Sequence, residues 1–471
     1  MLVIVQNLPV PLDRRVWLEC QALTAAGYQV SVISIKGPED SAYQHLEGVH
    51  IYRYKPAPQA SGVAGYLWEF IYSWAMTALL SLRVARRHGF DVIQACNPPD
   101  TYWALAALYK PFGKRFVYDQ HDLNPEVFVS RFGARLGFAG RLQYRGLLWL
   151  ERMTYRLADH VISTNESYRQ VALDRGNRRG DDVTVVRSGP DTSLMRPVAG
   201  QAHLRKGRRH LAVYLGIMGP QDGVDVAIRA LDVYVHELER DDLHLALLGF
   251  GDCLDELKAL ASELGLDDFV TFTGRADARM ITEYLSTADL GISPDPLNPL
   301  NDVSTMNKTM EYMAFALPVV AFDLKETRVS AADAAVYVEP GDVGAYAKAM
   351  AALLDDADQR ATMALAGRER AAAVLDWEPQ KRAYVGVYHR LLRRGSVPSE
   401  QDDAKAWPAV DRRSRGVDGP LTDRFGNPLV DLRDRDVVRK YVRTRQLPDP
   451  DGDHEKASDA TDSAAPGDPA S

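Results

Sequence analysis

The sequence predicts an α/β protein of two parallel-sheet domains, and three observations carry that prediction. Short β-rich runs alternate with helical stretches from Met1 to about Leu392, the pattern of strands linked by covering helices. A turn-rich segment, "SGPDTSLMRPVAG", separates two such series. The chain has 471 residues, too many for one compact core.

Taken in order, the first series of strands is "LVIVQ", "QVSVISI", "HIYRY", "DVIQAC", "RFVYDQ", "HVISTN" and "VTVVRSG". Each is short, rich in β-branched or aromatic residues and followed by a polar or helix-forming stretch. The second series is "LAVYLG", "LHLALLG", "FVTFTG", "DLGISP", "PVVAFD" and "AVYVEP". A helix, "EPQKRAYVGVYHRLLRR", then closes the folded part. The expected boundaries are residues 1–190 and 191–376 for the two domains, 377–394 for a closing helix that packs back on the first domain, and 395–471 for a largely disordered tail. The tail's end, "DPDGDHEKASDATDSAAPGDPAS", has no large apolar residue, so it has nothing to bury. A short helix at "RDRDVVRKYVR" is the exception expected there.

The formal net charge of -8 argues against general nucleic-acid binding. Cys20, Cys96 and Cys253 lie far apart, without metal-ligand spacing, so neither zinc nor a disulfide framework is expected and a reducing cytoplasm fits. "MLVIVQNLPVP" has no basic leader and no cleavage site; it reads as a first strand. The longest apolar run, Tyr66 to Leu82, carries Glu69, Ser73 and Thr77 at four-residue spacing. That is a single polar stripe on an amphipathic helix, expected to be buried against the sheet, with a membrane-facing helix as the alternative. Arg141, Arg145, Arg152 and Arg156 share one helical face with Leu148. A solvated basic face is the simpler reading, and an anionic membrane surface the functional one.

In open parallel sheets ligands sit beyond the C-terminal strand ends, so two such sheets should share a site in the cleft between them. "NPLNDVSTMNKTMEYMAFALPVVAFD" places Ser304 or Thr305 as the cap of a helix from about Met306 to Phe315. Lys308 in its first turn is unfavourable to the helix dipole, and a bound anion would compensate. Glu311, three residues on, could pair with Lys308 on the surface or bind a ligand hydroxyl. His121 in "FVYDQHDLNPE" follows a strand, flanked by Asp119, Asp122 and Glu126, and a cleft position favours function over a structural histidine. Asn97 and Asp100 in "NPPD" would line the same wall or simply form a turn. Asp13 is the expected cap of a helix beginning at Arg14 and Arg15, a pair suited to an acceptor phosphate or to solvent.

Asn307 to Met350, with "AVYLGIMGPQDGVDVAIRAL", "LALLGFGDCLDELKALASELGLDDFVTFTGRADARMITEYLSTADLGISP", "DVIQACNPPD", "YDQHDLNPEVF" and "VISTNESYRQ", resembles the GT4 family of retaining glycosyltransferases. The resemblance spans roughly Met1 to Leu392 and implies the GT-B fold: two Rossmann-like parallel-sheet domains facing a central cleft, with the donor nucleotide on the C-terminal one. It implies that Glu311 binds the ribose of a nucleoside-diphosphate sugar and that His121 contacts the transferred sugar. Ser304, Thr305, Met306, Asn307, Gly216, Gly219, Gln221, Gly274 and Arg275 fall among the implied donor contacts. The family's first paired glutamate is absent, because Val303 stands there; Asp302, or Ser304 and Thr305, is expected to substitute. The family's basic pair after the first C-domain strand is also absent, since this chain reads "GIMGPQDGVD" with Met218, Gln221 and Asp222. Lys308 is the expected replacement, because an unpaired diphosphate in a closed cleft would cost several kcal/mol. Ala316 stands where relatives often end the helix with glycine.

The resemblance thus implies transfer of a sugar to a hydroxyl of a glycan or lipid-linked acceptor in envelope or exopolysaccharide synthesis. Arg14, Arg15, Asn97, Asp100 and Asp122 would lie on the acceptor side. No metal is expected: "DPD" at Asp449 to Asp451 lies in the presumed tail. The expected location is the cytoplasm, or the inner face of the cell membrane. A sugar-nucleotide epimerase or phosphorylase of the same fold, and a degenerate nucleotide-sugar-binding scaffold, remain alternatives.

Overall fold

A computed structural model of the chain describes residues 1–57, 62–133, 137–392, 427, 429–430 and 435–446. The first sheet comprises β1 (Leu2–Ile4), β2 (Val30–Ile35), β3 (Tyr43–Leu46), β4 (Val49–Tyr54), β5 (Val92–Cys96), β6 (Arg115–Gln120), β7 (His160–Ser163) and β8 (Val183–Val185), in the order β3-β4-β2-β1-β5-β6-β7-β8. The second comprises β9 (His210–Leu215), β10 (Leu243–Leu248), β11 (Val270–Gly274), β12 (Leu290–Ser293), β13 (Val319–Phe322) and β14 (Ala335–Val338), in the order β11-β10-β9-β12-β13-β14. Every strand pairing is parallel except β3 with β4. All the strands but β3 coincide with the apolar runs of the sequence. β3, "YQHL", is exposed or half-buried along its length, so it lacks the apolar signal of a strand covered on both faces.

The helices are α1 (Arg14–Ala25), α2 (Gly62–Arg87), α3 (Trp103–Tyr109), α4 (Asn124–Phe132), α5 (Phe138–Leu157), α6 (Glu166–Asp174), α7 (Val224–Asp232), α8 (Leu254–Glu263), α9 (Ala278–Thr287), α10 (Asn307–Ala314), α11 (Lys325–Ala331), α12 (Val343–Asp355), α13 (Ala357–Arg370), α14 (Trp377–Leu392) and α15 (Arg435–Thr444). α1 and α14 pack on one face of the first sheet, through Val16, Leu23, Tyr384 and Tyr388 against Val3 and Val32. α2, α3 and α5 cover the other, through Val84, Leu105 and Tyr155 against Ile4, Ile33 and Tyr118.

α2 packs on the sheet as expected, through Val84 with Tyr72, Trp74, Met76 and Leu80 beside it, but its polar residues do not form one outward stripe. Ser73, Thr77 and Ser81 are buried, whereas Trp68, Ile71, Leu79 and Leu82 are exposed and Glu69 with them. The inward hydroxyls have partners that make this possible: Thr77 Oγ1 lies 3.3 Å from the Tyr102 hydroxyl and Ser81 Oγ 3.0 Å from that of Tyr109. Among the described residues no helix is long and apolar enough to cross a membrane.

The short helix expected in the tail is present as α15, but this part of the tail is packed rather than free. Val430, Val438, Tyr441 and Val442 are buried against Ala316, Ala361 and Ala364. Leu429 bridges Val198 of the interdomain linker, and the Tyr441 hydroxyl donates to Ser286 O at 2.6 Å. α15 is therefore a strap on the second domain. The rest of the expected tail, Asp449 to Asp451 included, lies outside the described residues. Ala316 keeps the left-handed conformation that glycine would favour, φ 53°, and its methyl fills this same cluster.

Candidate functional site

Strand ends from both sheets point into one cleft, and the starts of α1 and α10 meet across it. Asp13 caps α1, accepting from Val16 N at 3.1 Å, as its position before the arginines predicts. That cap holds Arg14 at the rim, where its guanidinium pairs directly with the Glu311 carboxylate of α10. Glu311 therefore does not pair with Lys308.

Arg15 takes no solvent-facing or ligand-facing role in this state. It is buried and donates to Asp119 Oδ1 at 3.1 Å, to Val186 O at 2.9 Å and to Ser188 Oγ at 2.9 Å, with Glu19 3.0 Å away. Burial opposes its charge, yet Asp119 and Glu19 hold it more firmly protonated than usual. The two acids separate: burial and Asp119 push Glu19 well up, while His121 and Arg15 overcome the burial of Asp119 and hold it below the usual range. Gln94 donates to both carboxylates at 2.8 Å, and Tyr384 and Tyr388 of α14 donate to its carbonyl. α14 thus braces the floor of the site.

His121 stands on this floor with its side chain largely buried. Nε2 lies 2.9 Å from Asp119 Oδ2 and 3.1 Å from Arg15 Nε. Nε2 thus lies between a guanidinium donor and a carboxylate acceptor, whereas Nδ1 has no hydrogen-bond partner among the described residues. Asn97 is a scaffold rather than a wall: its Oδ1 accepts from His121 N at 2.7 Å and Asp122 N at 3.1 Å, and its Nδ2 donates to Asp122 O at 2.7 Å. Asp100 is buried, accepting from the Tyr118 hydroxyl at 2.8 Å and from Asn124, and burial pushes it up to about 6. Burial also raises Asp122.

On the opposite wall, α10 begins at Asn307 with Met306 as its cap residue and no side-chain cap bond. The predicted caps do other work. Ser304 meets the Tyr168 hydroxyl at 2.8 Å, and Thr305 Oγ1 accepts from Asn165 at 3.0 Å, both on α6 or its cap across the cleft. Asp302 accepts from Lys325 N at 2.9 Å at the start of α11, so it does not replace the missing glutamate. Val303 packs with Leu123, Tyr168 and Leu300 in an apolar contact between the domains.

Lys308 is buried, 2.5 Å from Asp295 Oδ1 and 5.1 Å above the Tyr214 ring. The loop after β9 lies beside it. There Asp222 accepts from Gly219 N at 2.9 Å; burial raises Asp222 although Lys308 pulls the other way. Lys308 therefore balances the acids of a loop that has no cation of its own. Met218 is fully buried, and Gln221 O accepts from Asn301 at 2.8 Å. Gly216 passes so close to Gly249 of the next strand end that the latter must lack a side chain: a Cβ on Gly249 would lie 1.8 Å from Gly216 O. Gly274 ends β11 and accepts from Gly249 N at 3.0 Å, and Arg275 lies 5.4 Å over the Phe250 ring.

Reading the sequence missed Asp295, Glu19 and Gln94, and the cross-cleft bond from Ser167 Oγ to Glu326 at 2.6 Å. The only local signal for Asp295 was its place after strand "DLGISP". Glu19, Cys96, Asp119 and His121 bring donor atoms within 4.8 Å of one another. Arg15 already supplies the positive charge among them.

The family profile described as "Glycosyltransferase Family 4" matches residues 12–194, and that described as "Glycosyl transferases group 1" matches residues 209–356. A D-inositol 3-phosphate glycosyltransferase from Thermomonospora curvata is 30% identical over 48% of this chain and 56% of its own. A GDP-mannose-dependent alpha-(1-6)-phosphatidylinositol monomannoside mannosyltransferase from Mycobacterium tuberculosis is 32% identical over 40% of this chain and 51% of its own. The chain thus spans only about half the length of these curated relatives. Among solved structures, sucrose-phosphate synthase from Thermosynechococcus elongatus superposes with a TM-score of 0.68 at 20% identity, over 84% of this chain and 99% of the other. The paired sheets are the GT-B fold. With one profile on each sheet and the cleft between them, the chain belongs to the family 4, group 1 glycosyltransferases.

Proposed function

We propose that the chain is a retaining transferase that moves a hexosyl group from a nucleoside-diphosphate sugar to a hydroxyl of a glycan or lipid-linked acceptor, in envelope or exopolysaccharide assembly. The observation that carries this reading is Lys308, a buried cation at the start of α10 beside the glycine-bearing loop after β9. As the donor bond breaks, negative charge grows on the departing diphosphate and the sugar becomes oxocarbenium-like, so a preorganised cation and free helix N–H groups lower the barrier. Lys308 and the backbone of Thr305 to Asn307 take that task. Glu311 holds the ribose once Arg14 releases it. His121 Nδ1 hydrogen-bonds a hydroxyl of the transferred sugar, its ring fixed by Asp119. Gly216, Gly219, Gln221, Gly274 and Arg275 line the donor side, and Asp122 the acceptor side. The reaction needs no metal, since Lys308 supplies the charge a metal would. The phosphatidylinositol-linked acceptor in one relative's name favours a lipid-linked acceptor here. The exposed Arg141, Arg145, Arg152 and Arg156 suit a peripheral seat on the inner face of an anionic membrane.

Calorimetric titration with UDP, GDP and dTDP, with and without EDTA, tests the reading. One of them should bind, unaffected by EDTA, and Lys308→Ala should weaken it at least tenfold, about 1.4 kcal/mol. Unchanged affinity in Lys308→Ala would overturn the assignment. Binding without transfer or hydrolysis on any glycan or lipid-linked acceptor would favour the scaffold instead.

A further inference from the structure

We infer that Gln94 is a positioning residue for His121: its amide holds the Asp119 carboxylate against the imidazole, and the hydroxyls of Tyr384 and Tyr388 on α14 hold the amide. The inference rests on the transferase reading for what His121 touches, not for how the ring is held. Gln94 lies on β5 in the middle of the first sheet and is buried. Its amide brings two N–H donors and a carbonyl with two lone pairs into a region without water, and each group left unpaired would oppose folding. None is left unpaired. Nε2 donates to Glu19 Oε2 and to Asp119 Oδ2, both at 2.8 Å, while Oε1 accepts from Tyr384 at 2.6 Å and from Tyr388. The network also fixes which end of the amide is which, because the reverse orientation would set the carbonyl oxygen against two acid oxygens.

Gln94 holds the oxygen that matters to the site. Asp119 Oδ2 lies 2.9 Å from His121 Nε2, whereas Arg15 takes the other oxygen, Oδ1, at 3.1 Å. Arg15 thus fixes the far side of the carboxylate and Gln94 the side that meets the ring. A turn of the carboxylate about its own bond would break one contact or the other.

The charge of the pair points the same way. Glu19 and Asp119 share both the Gln94 amide and the Arg15 guanidinium, which lies 3.0 Å from Glu19 Oε1. Two buried carboxylates facing one cation cannot both stay ionised cheaply. Burial, and then Asp119, push Glu19 well up, whereas His121 and Arg15 hold Asp119 below its usual range against its own burial. The negative charge therefore rests on the acid beside His121, with Glu19 as its neutral companion. Tyr384 and Tyr388 belong to the core that α14 shares with the first sheet. The whole relay therefore travels with the N-terminal domain and holds the ring alike in an open or a closed cleft.

A glutamine that merely satisfies a buried core would behave differently from a positioning residue, and two variants of the full chain separate them. Gln94→Leu removes the amide and strands the two tyrosine hydroxyls, so its melting temperature should fall. Adding Tyr384→Phe and Tyr388→Phe replaces all the partners on that side by apolar groups of similar shape, which should restore most of the melting temperature. In both variants kcat for turnover of the UDP-, GDP- or dTDP-sugar should drop at least tenfold. Affinity for the nucleoside diphosphate, held on the α10 wall, should stay within twofold of the parent. The His121 Nε2 signal in the nitrogen-15 spectrum of histidine-labelled protein, assigned as the one missing in His121→Gln, should move in both. Tyr234→Phe, which removes a buried hydroxyl bonded to Asp242 at 2.7 Å in the second domain, should alter neither kcat nor that signal. If the triple variant regains the parental kcat and the parental His121 signal along with its stability, the inference is overturned. A moved signal with unchanged kcat would leave the relay in place and remove the sugar contact from His121, so the transferase reading of that residue would fail alone.

Discussion

Arg14 and Glu311 occupy each other in this state, and on the proposed reading that pairing is what nucleotide binding must undo. A ribose bound by Glu311 replaces a guanidinium that is half exposed, with 49% of its side-chain surface accessible. Such a pair is worth about 0.5–1 kcal/mol rather than the several expected of a buried one. Arg14→Ala should therefore tighten nucleoside-diphosphate binding by about two- to fivefold, read by calorimetry, because the competing partner is gone. Weaker binding in that variant would instead make Arg14 a donor ligand. Lys308 differs because its partner Asp295 is buried with it. The sequence pointed to Lys308 through the absence of any cation in the loop after β9, a statement about composition within one segment. It could not point to Asp295, thirteen residues earlier, because that pairing depends on β12 and α10 lying side by side. For the same reason Arg15 looked free: Asp119 and Val186, which consume its donors, reach it only through the sheet.

Strands were legible because each central parallel strand is covered on both faces and reads as a continuous apolar run. β3 was not, being a polar edge strand. The helix period revealed which residues of α2 share a face, but not that Thr77 and Ser81 turn inward, because their partners Tyr102 and Tyr109 are remote in sequence. Two further strand residues make a pH test at this scale. His160 on β7 meets Thr184 of the edge strand β8 at 2.8 Å, and His244 on β10 meets Thr271 of the edge strand β11 at 2.8 Å. Burial pushes each imidazole down to about 4, helped by Arg390 for His160 and by Lys206 and Arg208 for His244. The unfolded chain titrates near 6.5, so between about 4 and 6.5 it binds more protons than the folded one. Their stabilisation is complete above 6.5 and is lost as pH falls toward 4. Asp100, raised to about 6, acts oppositely, its contribution being lost as pH rises, so parent and variant must be compared. His160→Gln with His244→Gln should lose about 1–2 kcal/mol less stability than the parent between pH 7 and pH 4.5, measured by urea unfolding.

Across the whole molecule, the chain's first two passages between the domains touch. Trp377 N donates to Pro190 O at 3.1 Å, Asp376 accepts from Thr192, and a Cβ on Gly189 would lie 1.7 Å from Leu375 O. Two adjacent strands of backbone make a hinge, leaving the width of the cleft to the contacts at its far side. Among the described residues those contacts include Asn165 to Val303 O at 2.9 Å and to Thr305, Tyr168 to Ser304, Ser167 and Arg187 to Glu326, and Arg14 to Glu311. Here Val303 has a reason to be apolar, since it packs on Leu123 and Tyr168 of the other domain. A glutamate there would bury a charge in the closing contact. Asn165→Asp isolates the closure, because the aspartate still caps α6 by accepting from Tyr168 N, as Asn165 does at 2.7 Å. It can no longer donate to Val303 O, and loses about 1–1.5 kcal/mol of closing energy, so the closed fraction should fall about five- to tenfold relative to the open one. Small-angle scattering should then show a larger radius of gyration in the ligand-free variant that returns to the parent value with saturating nucleotide sugar, and the donor KM should rise while the melting temperature barely moves. An unchanged radius and KM would mean that the hinge, not the α6 contact, holds the domains together.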